Sequence, residues 1–378
     1  MTMAPELVFA ASIAFLFYVT FGYPLLLHFL ARYRACPVYS KPFRATVSFI
    51  LPVHNGEKFI ADKLRSILDL EYPAELVEIV VVSDGSTDAT ESLVEGFAQH
   101  GVRLIRKPRG GKPAALNAGI AVATGEILVF TDVRQSLAQD SLQILIDCFA
   151  DNKIGVASGN LVIRHGAAKG EAGVGLYRLY ETWIRDSLSR IDSIFGAVGS
   201  YYAMRRELAV MVPEETLLDD VYLPLAAFFR GYRSIVELRA LMFDLPTTLD
   251  MEFQRKVRTL AGNYQMLRDY PALMGPRNRM WFHFMSYKFA RLLLPYALLA
   301  TALSSLFLPW PWAQLAIAGQ LCFYLAAIAD PYLPEEFPLR RITSPIRTFL
   351  VLAIATVAAL RVFFVSPRSL WKETRIVH

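Results

Sequence analysis

Two adjacent carboxylates, Asp219 and Asp220, stand at the head of an apolar stretch, Val221-Tyr222-Leu223, at a spacing that suits a helix start. A carboxylate held there can take the proton of an attacking hydroxyl, which is the work of a general base. The same pair would also be a favourable helix cap, because negative charge complements the positive end of the helix dipole. A third acid, Asp132, ends the apolar run 126–131 (EILVFT), with Arg134 two residues on. One carboxylate can hold Mg²⁺ if waters and a ligand's phosphates complete the shell. Arg134 could instead pair with phosphate directly, turn to solvent, or turn toward a neighbouring acid. Farther on, QRKVRTLAG (254–262) places Arg255 and Arg258 at i, i+3 on one helical face. That spacing suits a grip on a diphosphate. A basic amphipathic helix lying on anionic headgroups would satisfy the same pattern.

These residues need a scaffold, and 45–245 has the texture of one. Apolar runs at Thr46–Val53, Val77–Ser83, Val102–Arg106 and Glu126–Thr131 read as strands, with helical periodicity over Phe59–Leu70 and Thr90–His100. The alternation predicts an α/β fold, a mostly parallel sheet covered by helices. In such sheets ligands bind outside the carboxyl ends of the strands. The first end carries Pro52 to Glu57 (PVHNGE). The second carries Asp84 to Asp88 (DGSTD), where Asp84 can accept from a ribose hydroxyl or a base N–H while Ser86, Asp88 and Glu91 cap the next helix. The third leads into Gly110-Gly111-Lys112-Pro113, with proline in the first helical turn and Lys112 beside an anion-attracting N-terminus. It is not a P-loop, since Pro113 replaces the Ser/Thr, and no GxGxxG follows a strand. Between the later motifs, FGAVGSY (195–201) offers Gly199 and Ser200, where backbone could approach a sugar closely or simply pack tightly. His165 and His283 carry no assigned role.

Composition places this scaffold at a membrane. The 378 residues are 54% hydrophobic with a mean hydropathy of +0.35, which implies that part of the apolar mass lies in lipid. Residues 7–30 carry no Asp, Glu, Lys or Arg, long enough to span, and Arg32, Arg34, Lys41 and Arg44 follow, so the next segment should be cytoplasmic. Further candidate spans run over 292–309, 312–330 and 347–365, with Trp310, Trp312 and Tyr332 at the interface. Arg361 interrupts the last, and the tail (Arg368, Lys372, Arg375) prefers the cytoplasm, which leaves the side of the C-terminus open. The net charge of +5, with no dense Lys/Arg run, argues against nucleic-acid binding. Scattered Cys36, Cys148 and Cys322 argue against a structural zinc or a disulfide framework.

The motifs in this order resemble the family 2 inverting glycosyltransferases of GT-A nucleotide-sugar fold. The resemblance is specifically to the membrane-embedded branch with cellulose, chitin and hyaluronan synthases and ceramide glucosyltransferases. FILPVHNGEKFIADKLRSIL followed by VEIVVVSDGSTDAT carries most of it, over roughly residues 45–265. The resemblance implies a nucleotide-sugar donor, UDP or another, with Pro52, Glu57 and Asp84 lining the nucleotide pocket. Lys112 would lie near it, Asp132 at the diphosphate and the metal, and Arg255 and Arg258 on the donor side. It implies Asp220 as base, with Asp219, Gly199 and Ser200 toward the acceptor. Two departures stand out. The family often has a second carboxylate where this chain has Arg134, and Gln-x-x-Arg-Trp where this chain ends in Thr259.

The expected organisation is an N-terminal span (1–31), a cytoplasmic GT-A domain (32–250), interfacial helices (251–291), C-terminal spans (292–366) and a basic tail (367–378). The expected activity is inverting transfer of a sugar to a hydroxyl acceptor, lipid-linked or a growing polysaccharide, at the inner (plasma) membrane. Membrane lipids and an export partner would accompany it. The expected cofactor is a divalent metal, Mg²⁺ or Mn²⁺, with dependence loosened by Arg134. The competing class is a non-catalytic nucleotide-binding or scaffolding subunit of an envelope assembly.

Overall fold

The computed structural model describes residues 4–163, 171–245, 249–334 and 337–370. The tail expected to be basic lies mostly outside the described residues, as does His165.

Strands β1 (Val47–Val53), β2 (Val77–Asp84), β3 (Val102–Lys107) and β4 (Ile127–Thr131) form where the branched apolar runs predicted them. Strand β4 is buried along its length and β1 is buried at every residue but Pro52, as expected of strands covered on both faces. They pair in parallel, with Val47 opposite both Val77 and Ile127, so their carboxyl ends emerge side by side. Helices α1 (Ala4–Phe17) and α2 (Tyr23–Tyr33) precede the sheet, and α3 (Ile60–Leu68), α4 (Thr90–Glu95) and α5 (Lys112–Val122) supply its first crossovers.

The second half of the sheet is mixed. It comprises β5 (Ser136–Leu137), β6 (Ile154–Ile163), β7 (Tyr201–Arg205) and β8 (Arg233–Asp244), in the overall order β3-β2-β1-β4-β7-β6-β8-β5. Strand β7 runs antiparallel to β4 and sets Tyr201 opposite Thr131. That pairing carries the glycine-rich segment to the end of β4, where the Thr131 hydroxyl donates to the Ser200 carbonyl (2.9 Å). Strand β5 pairs antiparallel with β8, Ser136 against Phe243. Around this half pack α6 (Ser141–Asp147), α7 (Glu171–Ile191) and α8 (Asp219–Phe229).

Apolar side chains fill both faces of the sheet. Phe49 and Leu51 point to one cluster with Ile60, Leu64 and Leu145, and Ile50 to another with Leu116, Phe130 and Leu223. Each such buried side chain contributes about 1.5–3 kcal/mol relative to exposure. A third cluster joins the sheet domain to the flanking helices, with Tyr23 and Leu27 packed among Leu188, Val221, Ala261, Tyr287 and Ala355. Helix α9 (Leu249–Asp269) contributes Val257 and Ala261 to it, so the basic helix is braced against protein along one face.

Beyond α9 come α10 (Trp281–Phe284), α11 (Ala290–Leu292), α12 (Leu294–Ser305), α13 (Trp312–Ala329) and α14 (Arg340–Ala359). Among the described residues three helical stretches are long and apolar enough to cross a membrane: Ala4–Tyr33, Trp312–Tyr332 and Arg340–Phe363. The expected span at 292–309 is instead a 12-residue helix, α12, packed on α1. At about 1.5 Å per residue it is too short to cross alone. The third stretch starts earlier than expected because buried Asp330 accepts from Thr343 (2.7 Å) and Ser344 (2.8 Å) at the first turns of α14. Outward faces bearing Phe17, Phe21, Leu315, Leu325 and Ile354 are exposed on the chain, as lipid-facing surfaces are.

Candidate active site

The carboxyl ends of β1, β2 and β4 open onto a cleft of about 1770 Å³ that runs on between α7, α9 and α14. On the sheet side Pro52 lines it, and Asn55 holds the next loop by accepting the Thr87 N–H (2.8 Å). Glu57 is not among the lining residues. Its carboxylate accepts the Ala89 N–H (3.1 Å) before α4, while Asp88 accepts the Thr90 N–H (3.1 Å) at the first residue of α4. Asp84 lines the cleft but is almost fully buried, and it accepts from Gly110 N (2.7 Å), Gly111 N (2.9 Å) and the Arg109 guanidinium. Its carboxylate thus shapes the turn that opens α5, and little of its acceptor capacity is left over. Arg109 escaped the motif reading because a lone arginine before Gly-Gly has no periodic signal.

The turn delivers Lys112 between two acids. Its Nζ lies 3.0 Å from Asp132 Oδ1 and 3.4 Å from Asp219 Oδ2. Burial would lower the pKa of this ammonium, but Asp132, then Asp219 and Asp220, hold it above its ordinary value. Arg134 takes the third course open to it. It turns to Asp244 at the end of β8 (2.5 Å), which also accepts from Gln135 Nε2 (2.9 Å). The register of β5 on β8 brings these residues together, and no local pattern announces it.

Among the described residues no three His, Cys, Asp or Glu side chains converge as a metal-binding group. A one-carboxylate site is nevertheless compatible with the residues present. The Asp132 side chain is 38% exposed in the cleft wall, and Asp219 Oδ2 is a buried oxygen without a hydrogen-bond partner. Mg²⁺ or Mn²⁺ bound by Asp132 would draw its remaining ligands from phosphate oxygens and water.

Asp220 sits at the first turn of α8, whose start is fixed from three directions. Ala197 N donates to the Asp220 carbonyl (2.7 Å), and Leu217 N donates to Gln265 of α9 (2.9 Å). Gly262 of α9 lies so close to Leu218 that any side chain would collide with it. Gly199 does the same for the carboxylate itself, since a Cβ there would stand 2.8 Å from Asp220 Oδ2. Burial, then the neighbouring Asp219, raises the Asp220 pKa to about 6, against the pull of Lys112, Arg185 and Arg258. A carboxyl tuned toward neutrality in a cleft is suited to proton abstraction.

The far wall is basic. Arg255 pairs with Glu252 (2.6 Å), and Arg258 lines the cleft close enough to act on Asp220. Arg185 of α7 donates to the Ala197 carbonyl (3.0 Å), and Arg291 pairs with Glu181 (2.6 Å) and Tyr177 (2.9 Å). Sequence reading passed over Glu181, Arg185, Lys288 and Arg291. The i, i+4 spacing of Glu181 and Arg185 on α7 was their one visible signal.

A family model described as Glycosyl transferase family 2 matches residues 48–210. The poly-beta-1,6-N-acetyl-D-glucosamine synthase of Staphylococcus epidermidis is 27% identical over 237 residues, covering 59% of this chain and 56% of that protein. The Staphylococcus aureus synthase is 27% identical over 241 residues, 60% of this chain and 57% of its own. The chain thus spans a little over half the length of these curated relatives. A solved mannosyltransferase from Pyrobaculum calidifontis, in complex with GDP-Man and Mn²⁺, superposes with a TM-score of 0.70 at 26% identity. That match covers 93% of this chain and 99% of the other. The parallel strand ends and these matches agree: residues 48–210 carry a family 2 glycosyltransferase domain, and the chain has the GT-A fold.

Proposed function

We propose that the chain is an inverting glycosyltransferase of the inner (plasma) membrane, with its catalytic domain cytoplasmic. It moves a sugar from a nucleotide-sugar donor to a hydroxyl acceptor held at the membrane face. The observation that carries this is the placement of Asp220. It lies in one cleft with the Lys112–Asp132 pair and with the walls of the span-length helices. The donor's nucleotide would lie along Pro52 and the turn that Asp84 holds. Its diphosphate would meet Lys112, with Arg258 on the opposite wall. Asp220 takes the acceptor proton as the hydroxyl attacks the anomeric carbon, and Asp219 orients the loop beside it. A divalent ion at Asp132, when bound, offsets charge on the departing nucleoside diphosphate, as the fixed ammonium of Lys112 also does.

Purified full-length protein with UDP-, GDP- and dTDP-sugars and membrane lipids tests this by nucleotide release. Release with one donor class supports the transferase. Silence with all of them would leave the nucleotide-binding subunit as the surviving reading.

A further inference from the structure

The cleft does not end at the base. Its far end is walled by Val19 and Phe21 at a π-helical turn of the first apolar helix, by Leu292 and Leu294, and by a stripe of α14 that includes Phe349 and Leu352. A second π-helical turn, Met285–Phe289, faces the first through the Tyr18–Ser286 hydroxyl pair (2.7 Å). Such turns re-aim side chains and are frequent at functional sites. Here Lys288 lies on the second one.

Between the apolar end and Asp220 lies a belt of cations. Arg185, Lys256, Arg258, Lys288 and Arg291 all line the cleft, with Glu181 and Glu252 among them and Asp220 at their inner edge. The neighbouring carboxylate, Glu252, is already paired with Arg255 and stands 3.9 Å from Arg178. Lys256 Nζ lies over the Tyr177 ring (4.3 Å) and Lys288 Nζ over the Tyr287 ring (5.4 Å). Among the described residues neither lysine has a carboxylate at ion-pair distance, although Glu252 and Glu181 act on Lys256, and Glu181 and Asp220 on Lys288, from farther off. Burial lowers the Lys288 pKa to about 8 against the pull of Glu181. Helix α7 gives the order. Arg185 bonds the loop beside Asp220, and Tyr177, which meets Arg291, lies eight residues back, about 12 Å along the axis.

From base outward the cleft therefore reads carboxylate, cations, hydrocarbon wall. We infer that the acceptor is a membrane lipid with a phosphate between its hydrocarbon chain and its hydroxyl-bearing group, and that Lys256, Lys288 and Arg291 hold that phosphate. This rests on the transferase reading and names its acceptor class. The charge excess at the cations matches a phosphate, and the apolar stripe beyond them matches the chain attached to it.

The test uses the full chain in neutral phosphatidylcholine nanodiscs, with the donor pocket saturated by UDP or GDP. The probes are farnesyl phosphate, farnesol and inorganic phosphate. Farnesyl phosphate is expected to bind at least about tenfold tighter than farnesol, and inorganic phosphate far more weakly than either lipid. Lys256→Gln with Lys288→Gln should erase the preference, and Lys256→Arg with Lys288→Arg should retain it. Equal affinity for farnesyl phosphate and farnesol, or an unchanged preference in the Gln variant, overturns the proposal. So does binding of farnesyl phosphate only when UDP and GDP are left out, which would assign the cations to the donor diphosphate. Nucleotide release is read separately. Release without farnesyl phosphate binding sinks the acceptor class alone, and binding without release from any donor sinks the transferase.

Discussion

The two ends of the cleft are built by different means. On the sheet side most of the charges have internal partners: Asp84 with Arg109 and two backbone amides, Asp132 with Lys112, Arg134 with Asp244. On the helical side Arg291 takes Glu181 and Arg255 takes Glu252, while Lys256 and Lys288 rest on aromatic rings. A paired site is rigid and already shaped; a site with surplus charge is stabilised by its ligand. The contrast teaches that one end is preorganised by its own ion pairs, whereas at the other two lysines lie without a carboxylate at ion-pair distance among the described residues.

The sharpest way to break this comparison is at the junction of the two ends. Asp220→Asn keeps the shape and removes the base. Transfer should fall by about 10²- to 10⁴-fold with donor binding retained. Unaffected turnover in a nucleotide-release assay would remove Asp220 from the chemistry.

The paired end can be probed for rigidity. Arg134→Ala leaves buried Asp244 with only the Gln135 side chain and the Leu245 amide, and should cost about 3–5 kcal/mol of stability in urea unfolding of the full chain. A steeper dependence on metal with stability intact would instead place Arg134 at the phosphates. Removing metal with EDTA should lower nucleotide release without abolishing it, because Lys112 remains at Asp132.

A finer probe is Gly199→Ala, whose new Cβ would push the Asp220 carboxylate. Turnover should drop by about 10²-fold while the thermal midpoint stays nearly constant. If turnover is unchanged, Gly199 serves packing only.

The smallest effect is in pH. Burial and Asp219 raise the Asp220 pKa to about 6, and a base must be ionised. The kcat/KM profile should therefore climb as pH rises through about 6 and level above it. For stability the sign is opposite. The folded carboxyl keeps its proton to higher pH than the unfolded one, so its contribution is full below the unfolded pKa and is lost as pH rises through about 6. A profile with no inflection near 6 would detach the measured step from Asp220.

How much was legible follows from range. The parallel strands were visible because seven or eight consecutive residues in β1 and β2 carry the branched, apolar signal themselves. Lys112, Asp132 and Asp220 were legible because each stands at the edge of such a run. Strand β7 was not, since Tyr201–Arg205 becomes a strand only by pairing with β4 across about seventy residues of chain. The 292–309 segment read as a span by hydropathy, which does not see that α12 packs against α1 as a short helix. Glu57 read as a pocket residue from its motif, and only the fold shows that one of its carboxylate oxygens accepts the Ala89 amide.

By itself the sequence determined the alternation of strands and helices, the apolar helices of spanning length, and the acids at the strand and helix ends. These are properties of local periodicity and residue chemistry. Only the tertiary structure decided where charges meet. It set Lys112 between Asp132 and Asp219, sent Arg134 to Asp244, and gathered α7, α9 and the segment around Lys288 into one basic wall. Each of those meetings joins residues far apart along the chain, and the energy of an ion pair depends on distance and burial in space, which no linear spacing encodes.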